Sequence, residues 1–147
     1  MRASPRLLVL LVCSVLLLGV AHGVDRERRH RSEVAETRLA LLRIESEIRL
    51  RSALAEGPKS PSGWTMTVDP RWFGGELPRN HLSPPGSNRR IEVDRSMDQG
   101  RIDPDRIVTA ADDAGWWFNP GNGVVRARVS SQSTLDRTRA LYEHVNR

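Results

Sequence analysis

The chain is poor in the residues that most often carry cross-links or chemistry. It has 147 residues and one Cys, Cys13. A single thiol excludes a disulfide framework and a Cys-rich metal site. The four His, at 22, 30, 81 and 144, are scattered, so a His-rich site is not expected either. Lysine is almost absent: of 23 basic residues 22 are Arg, with Lys59 alone. That skew lifts the isoelectric point to about 10.8 although the net charge is only +5. The excess is spread along the chain. Residues 24–56 hold eight Arg against seven acids, and residues 57–130 ten bases against nine acids. A nucleic-acid footprint is a concentrated basic patch, so no nucleic-acid partner is expected. No nucleophile elbow, H-E-x-x-H, P-loop or G-x-G-x-x-G occurs, so an enzyme is not expected. No catalytic, cofactor-binding or metal residue is assigned, and no small-molecule substrate.

What is present begins with an apolar run. Residues 7–21 read LLVLLVCSVLLLGVA, preceded by Arg2 and Arg6 and followed by Ala21-His22-Gly23. This is the layout of a secretory signal peptide. The run is short for a spanning helix, which needs about 20 residues, but a retained anchor stays open. Residues 1–23 are therefore a signal peptide or a membrane anchor, with membrane contact through residues 7–21. In either case the remainder is expected outside the cytoplasm, and its lack of Cys suits an exported domain without disulfides.

Residues 24–56 contain no Pro or Gly and are rich in Arg, Glu, Leu and Ala, which predicts an amphipathic helix stopped by Gly57-Pro58. Val34, Leu41 and Ile48 recur every seven residues with Ile44 beside them, forming one apolar stripe. Leu39, Leu50 and Ala53 form a second on roughly the opposite side. The first stripe either covers a core or serves as a coiled-coil seam. Glu45 with Arg49 and Glu47 with Arg51 are i,i+4 partners.

Residues 57–147 read as a small α+β head. Trp64 to Val68 alternates and predicts a half-buried strand with both Thr outward. Residues 74–90 hold three Pro, three Gly and two Asn and read as a long irregular loop. Ile91-Glu92-Val93 is a short strand, residues 94–106 an exposed loop, and Ile107 to Ala110 a strand or turn. Trp116-Trp117-Phe118 followed by Asn119-Pro120-Gly121-Asn122-Gly123 and Val124-Val125 predicts a hairpin, Asn and Gly tolerating positive φ in the turn. One aromatic face of this strand is expected in the core, the other covered by Trp72 and Phe73 or exposed. A short C-terminal helix follows, capped by Ser133 with Asp136 three residues on. Carboxylates at Glu92, Asp94, Asp98, Asp103, Asp105, Asp112 and Asp113 raise calcium binding in the 92–113 loop as an open question, although no D-x-D-x-D-G loop occurs and Arg95, Arg101 and Arg106 lie among the acids.

This order resembles the type IV pilins and the pseudopilins of type II secretion. The resemblance rests on residues 7–56 as a helix with an apolar first half, and on Trp116 to Ala127, which is similar to the pattern W-x-[YF]-[ND]-P-x-x-G-x-V-R-A. The WTMTVDPRWFGGELP run from Trp64 to Pro78 is similar to the segment after the helix in some bacterial members. The chain lacks the prepilin cleavage motif: its first Glu is Glu27, after the apolar run, and Gly23 follows that run too. The resemblance implies a long N-terminal helix packed on a small antiparallel sheet, with a short C-terminal helix. It implies a structural envelope protein of the cell inner membrane, facing the periplasm, or exported, that works by self-assembly or protein partners. The alternative is a secreted or periplasmic binding module with a cleaved signal peptide.

Overall fold

The computed structural model describes residues 5–54 and 57–147, with side chains described for 23–54 and 57–147. The chain falls into two compact units, Met1–Glu33 and Val34–Arg147. Helix α1 spans Pro5–Ala53. The side chains of the apolar run 7–21, and with them the anchor or signal-peptide reading, lie outside the described residues. Within the first unit the described part of α1 is solvated and charged, with i,i+4 pairs Arg29–Asp25 at 2.7 Å and Arg31–Glu27 at 3.0 Å. Among the described residues no helix is long and apolar enough to cross a membrane.

The second unit is α+β: the last five turns of α1, a three-stranded sheet and the short helix α2, Leu135–Val145. The strands are β1 (Ile91–Val93), β2 (Trp116–Asn119) and β3 (Val124–Ala127), in that spatial order. The sheet is mixed, which corrects the expectation of an antiparallel one. β2 and β3 pair antiparallel as the expected hairpin, but β1 pairs parallel with β2, Ile91 opposite Trp116 and Val93 opposite Phe118. A parallel pair needs a crossover of a dozen or more residues, and the stretch from Asp94 to Gly115 is long enough to provide it. Ile107–Ala110 is not a full strand; it contributes one parallel bridge, Val108 to Val129.

The heptad-spaced stripe of α1 belongs to the protein's own core. Val34, Leu41, Ile44 and Ile48 are buried in one cluster with Trp116, Phe118, Val125, Ala127, Val129, Leu141, Tyr142 and Val145. That burial leaves the stripe no room to be a coiled-coil seam. Each such side chain contributes about 1.5–3 kcal/mol when fully removed from water. The i,i+4 pairs form as expected, Arg51–Glu47 at 2.8 Å and Arg49–Glu45 at 3.9 Å.

Two local expectations are corrected. Residues 64–68 make only an isolated bridge, Lys59 to Thr65. Thr65 is buried rather than outward, because its N–H donates to the Ser52 hydroxyl at the end of α1 (3.0 Å) and its own hydroxyl donates to the Thr67 carbonyl (3.0 Å). A period-2 pattern cannot see such a side-chain anchor. Residues 74–90 are irregular, as expected, and Leu77, Asn80, Leu82, Ser83, Ser87 and Asn88 within them are buried. The N-cap of α2 is Thr134, whose hydroxyl accepts from the Arg137 N–H at 3.2 Å, one residue beyond the expected Ser133.

Candidate functional site

The two aromatic faces of β2 do not divide into core and binding surface. Trp116, Trp117 and Phe118 are all fully buried. Trp116 Nε1 donates to the Pro78 carbonyl at 2.9 Å, and the Arg101 guanidinium stacks 5.8 Å from the Trp117 ring centre. Trp72 and Phe73 do pack against the core as cover, from a 3-10 turn at Pro70–Phe73. α1 holds them from above by cations, Arg51 over Trp72 at 5.6 Å and Arg43 over Phe73 at 5.9 Å. Asp69 caps that turn; the hydrogen bonds it accepts from the Arg71 side chain and backbone hold its carboxyl below the usual range. No exposed ring remains on this strand for stacking on a sugar or peptide.

Five of the seven acids of the 92–113 loop pair with arginines. Glu92 pairs with Arg128 at 2.7 Å, Asp94 and Asp105 share Arg101 at 3.2 and 2.5 Å, and Asp103 meets Arg126 at 3.3 Å. Asp113 accepts from the Ala110 N–H at 3.0 Å, which with Arg106 lowers its pKa. Asp94 and Arg128 are buried, so the 94–106 segment is anchored rather than free. Asp103 also accepts from the Tyr142 hydroxyl at 2.6 Å. Burial first, and then that hydrogen bond, raise the Tyr142 pKa well above its ordinary 10.0. Among the described residues no cluster of three or more His, Cys, Asp or Glu is arranged to hold a metal ion. The calcium question therefore finds no geometry in its support. His81 meets Glu36 at 3.3 Å on the side of α1, and His144 is exposed.

The hairpin asparagines do a different task from the one read in sequence. Only Gly123 in that turn has positive φ, +77°. Asn119 is fully buried; its amide donates to the carbonyls of Asp98 (2.7 Å) and Arg101 (2.8 Å), while its oxygen accepts from the Gly121 N–H (2.8 Å). Asn122 donates to the carbonyls of Gln99 and Arg101 at 3.0 and 2.9 Å. The turn is thus a clamp on the 98–101 loop. Asn80, also fully buried, bridges the carbonyls of Gly115 and Arg128 and accepts from the Leu82 N–H. No periodicity announces these three amides, since their partners lie 18 to 48 residues away.

Two surfaces remain as candidates. The first is the outer side of α1. Leu39 (67% exposed), Leu42 (60%), Leu50 (48%) and Leu54 (54%) stay in solvent although Leu41, one residue from Leu42, is 6% exposed. At about 100° per residue Leu39 and Leu50 lie opposite the core stripe, with Leu42 and Leu54 roughly 50–70° to either side of them. Sequence reading had found Leu39 and Leu50 and missed Leu42 and Leu54. The second is a cavity of about 870 Å³ along β1, lined by residues 90–95 together with Met66, Met97 and Asp112. Sequence reading had no means to find it, because it is formed by the free edge of a strand whose pairing was not legible.

No family model matches the chain, and no curated protein and no solved structure matches it either.

Proposed function

We propose that the protein acts by assembly, as a pilin-like or pseudopilin-like envelope protein, second copies of the chain packing along the outer side of α1. The observation that carries the reading is the row of four exposed leucines at 39, 42, 50 and 54 on a helix whose other side already serves the core. Apolar side chains left in water favour association, and two pairs of leucines along one side of a helix suit a second helix. The residue order of α1, sheet and α2 supports the resemblance to pilins, as does the Trp116 to Ala127 hairpin. On this reading no bond chemistry occurs, and residues 7–21 hold the chain in a membrane or a filament core.

The test is sedimentation of the full chain over a range of concentrations, beside Leu42→Asp. Concentration-dependent association that Leu42→Asp abolishes, with melting unchanged, is the expected result. A monomer at every concentration refutes assembly through this face. The mass and N-terminal sequence of the mature chain from a membrane fraction then separate the second reading, a free binding module starting near Val24. The open cavity beside β1 favours that second reading.

A further inference from the structure

The five asparagines of the chain are followed by His81, Arg89, Pro120, Gly123 and Arg147 in turn. The side-chain amide carbon of an asparagine is open to attack by the backbone nitrogen of the next residue, which closes a cyclic imide. A side chain on that next residue hinders the attack, and proline, which has no N–H, cannot complete it. Asn119 before Pro120 is therefore inert, and Asn122 before Gly123 is the most reactive of the five. The fold holds that reactive pair still. The Asn122 amide donates to the Gln99 and Arg101 carbonyls at 3.0 and 2.9 Å, and its oxygen accepts from the Val124 N–H at 3.0 Å. The Gly123 N–H, whose nitrogen would attack, donates to the Asn119 carbonyl at 2.8 Å. The Trp64 indole fills the place of a Cβ on Gly123, 2.3–2.4 Å from that position, and so blocks the glycine from swinging. Closure of the imide requires the Gly123 bond and both bonds of the leaving amide to break together.

The same bonds decide what conversion does to the fold. A carboxylate at position 122 donates nothing, so the Gln99 carbonyl loses the one donor it has among the described residues, and oxygen faces oxygen. The Arg101 carbonyl keeps only the Asn119 amide, at 2.8 Å. An isoaspartyl link also lengthens the main chain by one carbon, inside a turn whose ends, Asn119 and Val124, are paired across the hairpin.

We propose that Asn122 is a modification site guarded by the clamp: opening of the 98–101 loop permits its conversion to aspartyl and isoaspartyl forms, and conversion then prevents the loop from being clamped as before. In the first step hydroxide removes the proton of the Gly123 nitrogen, which bonds to Asn122 Cγ. The Cγ–Nδ2 bond breaks, and ammonia leaves with a proton from water. Water then adds across one of the two carbon–nitrogen bonds of the imide. Cleavage at Cγ leaves an aspartate, and cleavage at the main-chain carbonyl leaves the isoaspartyl link. Water is the one co-reactant, and nothing is oxidised or reduced. The rate follows the fraction of molecules in which the clamp is open. The site is separate from the leucine row of α1, so neither reading depends on the other.

The test incubates the full chain, folded in buffer and unfolded in guanidinium chloride, at the same mildly alkaline pH. Trypsin then releases residues 107–126, where Asn122 is the one asparagine able to react, and chromatography with mass detection reads the aspartyl and isoaspartyl products. The expected result is conversion in both samples, roughly tenfold or more slower in the folded chain. In the unfolded chain Asn80, Asn88 and Asn146 lag behind Asn122. Asn122→Asp, which copies one product, shows faster hydrogen exchange over residues 98–101 than the unchanged chain. If that variant does not fold, the same exchange is read on the unchanged chain after long incubation, the converted molecules being separated by charge. Equal conversion rates folded and unfolded overturn the guarding role of the clamp. Absence of conversion in the unfolded chain overturns the site itself, and unaltered exchange over residues 98–101 after conversion overturns its effect on the loop.

Discussion

Gly123 isolates two physical terms that are usually confounded. Its φ is +77°, and a Cβ placed there would lie 2.3–2.4 Å from three atoms of the Trp64 indole. Gly63 has a similar φ of +85° but nothing within 4 Å of its Cβ position. Gly63→Ala therefore reports the backbone alone. A left-handed L-residue costs about 1–2 kcal/mol, offset by about 0.4–1 kcal/mol because Ala restricts the unfolded chain. The net loss at Gly63 is at most about 1.5 kcal/mol. Gly123→Ala carries the same backbone change and forces the ring to move, which adds about 1–3 kcal/mol of overpacking. The expected loss is about 1–4.5 kcal/mol, and Gly123→Val exceeds it. Urea unfolding followed by Trp fluorescence measures both variants, with the m-value as check on two-state behaviour. In a double-mutant cycle, Trp64→Ala should recover the overpacking part at Gly123 and nothing at Gly63. Equal losses at Gly63 and Gly123, or strict additivity with Trp64→Ala, would refute the packing of Trp64 on the hairpin turn.

Other outcomes follow from the same structure. Leu41→Asp should destabilise the second unit by about 3–5 kcal/mol through an unpaired buried charge, while Leu42→Asp, one residue on, stays within about 0.5 kcal/mol in thermal melting. Asn80→Ala should lose about 2–3 kcal/mol, because it removes three hydrogen bonds and leaves the buried Leu82 N–H without its acceptor, while the Gly115 and Arg128 carbonyls keep the Arg128 N–H and the Ser83 hydroxyl. A loss below 1 kcal/mol in denaturant titration would deny that bridging role. Tyr142 has a folded-state pKa above its unfolded value of 10.0, so its phenol contributes stability that is complete below pH 10 and declines as pH rises further. Tyr142→Phe should flatten that alkaline decline, and an unaltered alkaline profile would count against the Tyr142–Asp103 bond. Asp113, with its pKa lowered by the Ala110 N–H, acts oppositely: its contribution is present above its ordinary 3.8 and fades as pH falls below that. Asp113→Asn should shallow the acid limb, read by fluorescence between about pH 5 and 2.

Local signals carried far where the physics was local. The stripe Val34, Leu41, Ile44 and Ile48 was readable because a helix repeats every 3.6 residues and the core needs one face of it. The Trp116–Ala127 hairpin was readable because a tight turn demands a residue like Gly123, and the i,i+4 pairs because their partners are one turn apart. Pairing of β1 was not, since parallel register is set across the 22 residues from Asp94 to Gly115 and by nothing at either end. The same distance hid the amides of Asn80, Asn119 and Asn122, whose oxygens hold local turns while their N–H groups bridge to distant carbonyls.

The sequence by itself thus determined the amphipathic half of α1, the hairpin and α2, because each is specified by residues within a few positions of one another. It also determined the near balance of charge and the scarcity of Cys, His and Lys. Tertiary structure alone decided which way β1 runs, that most loop acids end on arginines, and that all three β2 aromatics are covered. It decided as well that one side of α1 is core while Leu39, Leu42, Leu50 and Leu54 stay in water, because burial is a property of what the rest of the chain brings alongside. The free edge of β1 follows from the same cause: whether a strand has a second neighbour depends on the sheet, not on the strand.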